Sequence, residues 1–143
     1  MFMGEYSHTI DSKGRLIIPS KLRDELGENF VVTKGLDGCL FVYAMDEWNL
    51  LNERLKTLPL TNPNTRRLNR FFLASASNGE TDKQGRVLIP GVLREFAGLE
   101  KDVVLLGVGN RIEIWDKTAW EKESDYGDMD EIAEQMAELG FQI

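Results

Sequence analysis

The sequence predicts an α+β fold, mostly β, in which one unit is used twice. Three observations predict this. Residues 11–27 (D-S-K-G-R-L-I-I-P-S-K-L-R-D-E-L-G) return as residues 82–98 (D-K-Q-G-R-V-L-I-P-G-V-L-R-E-F-A-G), at a constant offset of 71. Eight of the 17 positions are identical: Asp11/Asp82, Gly14/Gly85, Arg15/Arg86, Ile18/Ile89, Pro19/Pro90, Leu22/Leu93, Arg23/Arg94 and Gly27/Gly98. Ordinary residue usage would give about one match by chance, so the phrase is a duplication. Second, each copy is followed by two short strand-like runs around a glycine turn, residues 30–33 and 39–43 after the first, 103–106 and 111–115 after the second. Third, units of about 70 residues are marginal alone, so the two halves are expected to share a core or to pair with other chains.

The elements follow in order. Residues 6–10 alternate and use strand formers. Asp11-Ser12-Lys13-Gly14 fits a type I turn, with Asp bonding its own turn backbone and Gly permitting positive φ. Residues 16–18 return as a strand. Pro19 ends the ladder and suits the first turn of a helix over residues 20–26, which Gly27 caps. Beyond the hairpin of residues 30–43, Asp46 is the expected N-cap of a helix to about Thr57, with Trp48, Leu51, Leu55 and Leu58 as its apolar stripe. The Pro59 and Pro63 stretch breaks it, and residues 64–74 read as another helix with Leu68, Phe71 and Phe72 on one side. The second half then replays the first: strand 77–81, turn 82–85, return 86–89, and a helix that Pro90 opens and Gly98 ends. Its hairpin matches too, with Ile112, Ile114, Trp115 and Trp120 answering Leu40, Val42, Tyr43 and Trp48. Past Trp120 comes an acidic stretch and a short helix with Ile132, Met136 and Leu139 on one stripe, ended by Gly140. The expected organisation is a first repeat over residues 1–60 with its C-terminal helix, a helical linker over 61–76, a second repeat over 77–121, and an acidic tail over 122–143.

Composition narrows the chemistry. Residues 121–143 hold eight acidic side chains against Lys122, a net charge of −7, which is the net charge of the whole chain. Residues 1–120 are therefore neutral overall and free to carry a basic face, and local charge decides phosphate contact. The longest apolar runs are too short for a membrane span, and the N-terminus lacks the pattern of a secretory signal. The single Cys39 can form no internal disulfide or thiolate zinc site and reads as a small buried hydrophobe. These features point to the cytoplasm.

No enzyme reading gains support. His8 is the only histidine and reads as a half-exposed strand residue, and no nucleophile elbow, phosphate loop or dinucleotide fingerprint is present. No cofactor, metal or small-molecule substrate is expected. Asp11 and Asp82 could form a carboxylate pair if the repeats faced each other, but each holds the turn position where Asp bonds backbone. The repeated arginines leave two readings open. Arg15 and Arg86, with Arg23, Arg94, Lys13, Lys21 and Lys83 near them in sequence, would make two cationic stations suited to phosphate and to the guanine edge. Alternatively, Asp11–Arg15 and Asp82–Arg86 are turn-closing ion pairs repeated by descent. The Arg66, Arg67 and Arg70 cluster reads as a solvated helix face.

The D-x-x-G-R-[LV]-x-I-P-x-x-L-R phrase resembles the core of the AbrB-type swapped-hairpin DNA-binding domains. Two copies in a chain of this length, after an opening Phe2-x-Gly4, resemble the MraZ family of bacterial transcriptional regulators. The resemblance covers residues 1–120 and implies that the two AbrB-like swapped-hairpin units pair as an intramolecular pseudo-dimeric β-barrel with short flanking helices. It implies DNA contact through Asp11 to Arg15 and Asp82 to Arg86. The DNA-binding residues would be Arg15, Arg86, Lys13, Lys83, Arg23 and Arg94, while Asp11, Gly14, Pro19, Asp82, Gly85 and Pro90 form the structural turn. The implied partners are double-stranded promoter DNA with short tandem repeats and further copies of the chain in a ring. The implied setting is the nucleoid, and the implied outcome is repression of a division and cell-wall gene cluster. A scaffold that recruits partners through the acidic tail is the alternative.

Overall fold

A computed structural model describes residues 1–143. The strands are β1 (Phe2–Thr9), β2 (Arg15–Ile17), β3 (Phe30–Lys34), β4 (Leu40–Ala44), β5 (Ser77–Gly79), β6 (Arg86–Leu88), β7 (Asp102–Gly109) and β8 (Ile112–Asp116). The helices are α1 (Ser20–Leu26), α2 (Met45–Lys56), α3 (Pro63–Asn69), α4 (Gly91–Ala97), α5 (Lys117–Glu123) and α6 (Met129–Ala137). A 3-10 turn at Leu36–Gly38 joins β3 to β4, and a π-helical turn at Arg70–Ala74 extends α3.

Six strands form an antiparallel sheet in the order β1-β7-β8-β4-β3-β5, and β2 pairs with β6 in a separate two-stranded ribbon. Exchanging the halves maps this order onto itself. The hairpins β3–β4 and β7–β8 meet at β4–β8, and each leading strand crosses over: β1 pairs with β7 along eight residues, and β5 pairs with β3. The two halves are therefore intertwined, as the resemblance implies. They enclose one core between an open sheet and a ribbon rather than lining one continuously hydrogen-bonded barrel. Only the bridge Ile10–Leu16 links the ribbon to the sheet. Pro19 and Pro90, which have no N–H to donate, follow the ribbon strands and turn each chain into a helix.

The sheet is buried on both faces, which explains near-continuous apolar runs in its central strands. One face packs Phe30, Val32, Leu40, Val42, Val103, Leu105, Ile112 and Ile114 against ribbon residues Leu16, Ile18, Val87 and Ile89 and against Leu22, Leu26 and Leu93 of α1 and α4. The opposite face packs Phe41, Tyr43, Val104, Leu106 and Trp115 under Trp48, Leu51, Leu68, Phe71, Phe72 and Trp120. Glu113 is buried on this second face, where its carboxylate accepts from Arg111 Nε at 2.9 Å and Nη2 at 2.7 Å and from Trp115 Nε1 at 3.0 Å. Cys39 is fully buried just before β4, and its Sγ donates to the Leu36 carbonyl at 3.2 Å. Burial, with the nearby Glu113 charge, pushes its thiol up to about 12, so it stays protonated and inert.

Several boundaries differ from the sequence expectation. β1 starts at Phe2 rather than Tyr6, because pairing with the long β7 overrides the weak local propensity of Gly4-Glu5. β5 is only three residues long. Helix α2 starts at Met45 with Ala44 as its cap, so Asp46 is not the N-cap; it lies in the first turn, where its charge favours the helix dipole. Asn62 caps α3, its side chain accepting from Asn64 N at 2.9 Å. The tail helix α6 is capped by Asp128 and ends at Ala137, ahead of Gly140. No helix is long and apolar enough to cross a membrane.

Candidate nucleic-acid interface

The two copies of the duplicated phrase meet face to face. In each, the backbone closes a four-residue turn whose last residue is a glycine at positive φ. Gly14 N donates to Asp11 O and Asp11 N to Arg15 O, both at 2.9 Å, and Gly85 and Asp82 repeat the pattern. Gly14 sits at φ 85° and Gly85 at φ 75°, where a side chain would be strained. The turns then feed β2 and β6, which pair as Arg15–Leu88, Leu16–Val87 and Ile17–Arg86. Reciprocal bonds from Ile18 N to Gly85 O and from Ile89 N to Gly14 O, both 2.9 Å, lengthen the ribbon at each end.

Strand alternation gives this ribbon two faces. Leu16 and Val87 point into the core, and Arg15, Ile17, Arg86 and Leu88 point outward. Arg15 and Arg86 are diagonal neighbours, a separation of about 7–8 Å for such positions. A cleft of 210 Å³ between them is lined by Arg15, Glu80, Thr81, Asp82, Arg86 and Leu88.

Each outward arginine is held by its own aspartate. Asp11 Oδ1 accepts from Lys13 N and Arg15 N at 2.9 Å, and Oδ2 accepts from Arg15 Nε at 2.8 Å. Asp82 does the same with Gln84 N, Arg86 N and Arg86 Nε, all at 2.9 Å. The ion pair of the sequence reading is thus present in both copies, and it does not exclude the cationic station. It consumes only Nε–H and leaves the two terminal Nη groups of each guanidinium without a protein acceptor. The bond from the following arginine's backbone N–H is the main factor holding both carboxyls below the ordinary aspartate range, with further help from the arginine side chain.

A group whose pKa is lowered by folding contributes stability above its unfolded pKa and loses it as pH falls through the folded value. Acid titration of the protein should therefore loosen both turns in the range at and below the ordinary aspartate pKa. The double substitution Asp11→Asn, Asp82→Asn should remove that acid-sensitive increment, and urea midpoints measured between pH 5 and pH 2 check it. Parallel pH profiles for parent and variant would refute the assignment.

Arg23 and Arg94 have a different environment from the one the sequence reading gave them. Each reaches from its helix onto the turn of the other repeat: Arg94 lies over Gly14 and Arg23 over Gly85, so both glycines are buried. A Cβ on Gly14 would come within 2.8 Å of Arg94 Cζ. Arg94 Nε also donates to Ile89 O at 2.9 Å. Both guanidinium groups are half-buried, so they support the turns besides adding charge. One turn thus gathers Asp11, Lys13, Arg15 and Arg94, and the other Asp82, Lys83, Arg86 and Arg23. Each station is net positive and contains a residue from both repeats. Lys13 and Lys83 are exposed at the turn tips. Pro19 and Pro90 precede α1 and α4 as helix caps.

Other residues stand apart. The helix α3 that carries Arg66 and Arg67 covers the sheet face away from the ribbon. Arg66 Nη1 donates to Leu60 O at 3.0 Å and Arg67 Nη1 to Asn64 Oδ1 at 3.0 Å, bonds that tie down the linker. His8 is half-exposed on β1. Sequence reasoning missed Ile17 and Leu88 as members of the outward face, although the strict alternation around Leu16 and Val87 carried the signal.

Comparison with known proteins places two matches to one family model along the chain. The model is described as "MraZ protein, putative antitoxin-like" and covers residues 1–71 and 72–140. Among curated relatives, a protein named transcriptional regulator MraZ from Lachnoclostridium phytofermentans is 61% identical over 141 residues, 99% of each chain. One of the same name from Caldanaerobacter subterraneus subsp. tengcongensis is 60% identical over 95% of this chain and 96% of its own. Another, from Acetivibrio thermocellus, is 56% identical over 99% of this chain and its whole length.

Proposed function

The chain belongs to the MraZ family, and from that premise we propose that it is a DNA-binding transcriptional regulator that grips promoter DNA through the β2–β6 ribbon. The family is one of transcriptional regulators, so the chain is not an enzyme. One observation carries the assignment of the ribbon: both copies of the duplicated phrase present an aspartate-braced arginine on the same outward face, with its Nη groups unengaged. A guanidinium fixed at Nε offers its remaining edge as a fork, which matches the O6 and N7 acceptors of guanine in the major groove or a phosphate. Lys13 and Lys83, free of such bracing, supply sequence-independent attraction to phosphate.

A single ribbon of this size would bind weakly and with steep salt dependence. We therefore propose that several copies assemble in a ring on short tandem repeats, and, as the family resemblance implies, that these repeats lie upstream of a division and cell-wall gene cluster that the protein represses from the nucleoid. Contacts after the first are then intramolecular, and affinity depends on repeat number and spacing. Titrating the protein against its own upstream region, with one to four repeats and with spacers lengthened in single base pairs, tests this. Affinity should rise steeply with repeat number and fall when half a helical turn is inserted. Affinity indifferent to both would contradict it.

A second reading, a scaffold acting through the tail, draws on α6. Its Ile132 and Met136, and Leu139 just past its C-terminal end, are exposed and belong to no packed cluster. A scaffold of that kind would show no response to repeat spacing in the same titration.

A further inference from the structure

We infer that Ile17 and Leu88 determine DNA specificity by reading thymine 5-methyl groups about two base pairs from the bases addressed by Arg15 and Arg86. The inference rests on the DNA-binding reading above and extends it to a pair of side chains with no charge.

The outward face of the ribbon consists of four side chains. The register sets Arg15 opposite Leu88 and Ile17 opposite Arg86, so the arginines occupy one diagonal and the aliphatic residues the other. Ile17 is 42% exposed and Leu88 60% exposed, while their strand neighbours Leu16 and Val87 are at 0% and 1%. The two aliphatic residues belong to neither core cluster. They occupy matching positions in the two copies of the phrase, and both copies place a branched aliphatic side chain there. A face that only gathered phosphate would gain from a lysine or threonine at these solvent positions. Large aliphatic side chains there gain from burial against an apolar counterpart.

Duplex DNA supplies one such counterpart to a β-ribbon. The major groove admits two antiparallel strands, and its only apolar feature is the C5-methyl group of thymine. The spacings agree as well. Alternate residues on one strand lie about 6.6 Å apart, close to two base-pair steps of about 3.4 Å each. With Arg15 on a guanine, Ile17 lies about two steps along the groove, and Leu88 and Arg86 repeat the arrangement by the pseudo-two-fold axis of the ribbon. The ligand class is therefore B-form DNA with thymines about two base pairs from the guanines that the arginines take. The arginines discriminate by hydrogen bonds, and Ile17 and Leu88 discriminate by the apolar surface that a methyl group lets them bury.

Deoxyuridine isolates this contact, because it pairs as thymine does and lacks only the methyl group. The full chain is used to select an operator from random duplexes, and its Kd is then measured for that operator with thymine and with deoxyuridine throughout. Each lost methyl contact should weaken binding about fourfold, so loss of both should exceed tenfold, with no change for unrelated duplexes. The double variant Ile17→Ser, Leu88→Ser should bind the two operators equally. Equal affinity of the parent for both duplexes would overturn the inference without touching the DNA-binding reading, and so would a variant that keeps the thymine preference. If no operator is recovered, the DNA-binding reading fails and the inference with it. The comparison of duplexes with the parent protein decides the matter even if the variant folds poorly.

Discussion

Arg15→Ala combined with Arg86→Ala is expected to lower affinity for the operator by a factor of roughly 100 or more while leaving the fold intact. A bidentate arginine–guanine contact discriminates by about 1–3 kcal/mol, and two such contacts are removed. The fold should survive because both side chains are outward and partly exposed. Each aspartate would still accept from the backbone of its turn, as Asp11 does from Lys13 N and Arg15 N. Lysine at the same two positions separates charge from geometry. It preserves the net charge but not the fork, so binding to unrelated DNA should persist while preference for the operator falls. Competition titrations against operator and unrelated duplex measure both quantities. A double alanine variant with parental operator affinity would remove the ribbon from the account.

A chain cut to residues 1–76 is expected not to fold as a monomer. Such a half keeps β1 to β4 and α1 to α3, but loses β7, the eight-residue partner of β1, and β6, the partner of β2. Leu16, Ile18, Leu22 and Leu26 would lose Val87, Ile89 and Leu93 from their shared core. Removing several buried aliphatic side chains at a few kcal/mol each exceeds the whole stability of a small domain. The symmetry of the sheet offers one escape. Two half-chains can pair β1 of one with β3 of the other and join through their β4 strands, which reproduces the strand order of the parent. Light scattering and circular dichroism across a concentration series should therefore find unfolded monomer or folded dimer. A folded monomer of residues 1–76 would refute the intertwined topology.

Legibility in the sequence followed locality. Turn, return strand, proline and short helix were readable in both copies because each rests on a few adjacent residues with their own backbone chemistry. Strand partnership was not readable, because alternation marks a strand without naming its neighbour. The crossing of β1 to β7 and β5 to β3 is fixed by the joint burial of both hairpins. The same limit explains Arg23 and Arg94. Their recurrence was visible, but not that each lies on the other repeat's glycine, a contact between residues far apart in sequence. Arg15 and Arg86 offered two readings, a turn brace or a cationic station. The geometry makes them compatible, because the brace uses one nitrogen and leaves two. Residue type alone points to Asp46 as the cap, whereas the helix begins one residue before it, at Met45, and Ala44 holds that place.

The measurement that tests the ribbon most directly follows the Nε–H resonances of Arg15 and Arg86 by NMR as operator duplex is added to the full chain. If the ribbon is the interface, both resonances should shift at stoichiometric operator and remain protected from exchange, because Asp11 and Asp82 keep holding Nε while the Nη edge engages DNA. The Arg66 and Arg67 resonances on the opposite side of the sheet should stay in place. Saturating operator that shifts Arg66 and Arg67 and leaves Arg15 and Arg86 unmoved would contradict the account.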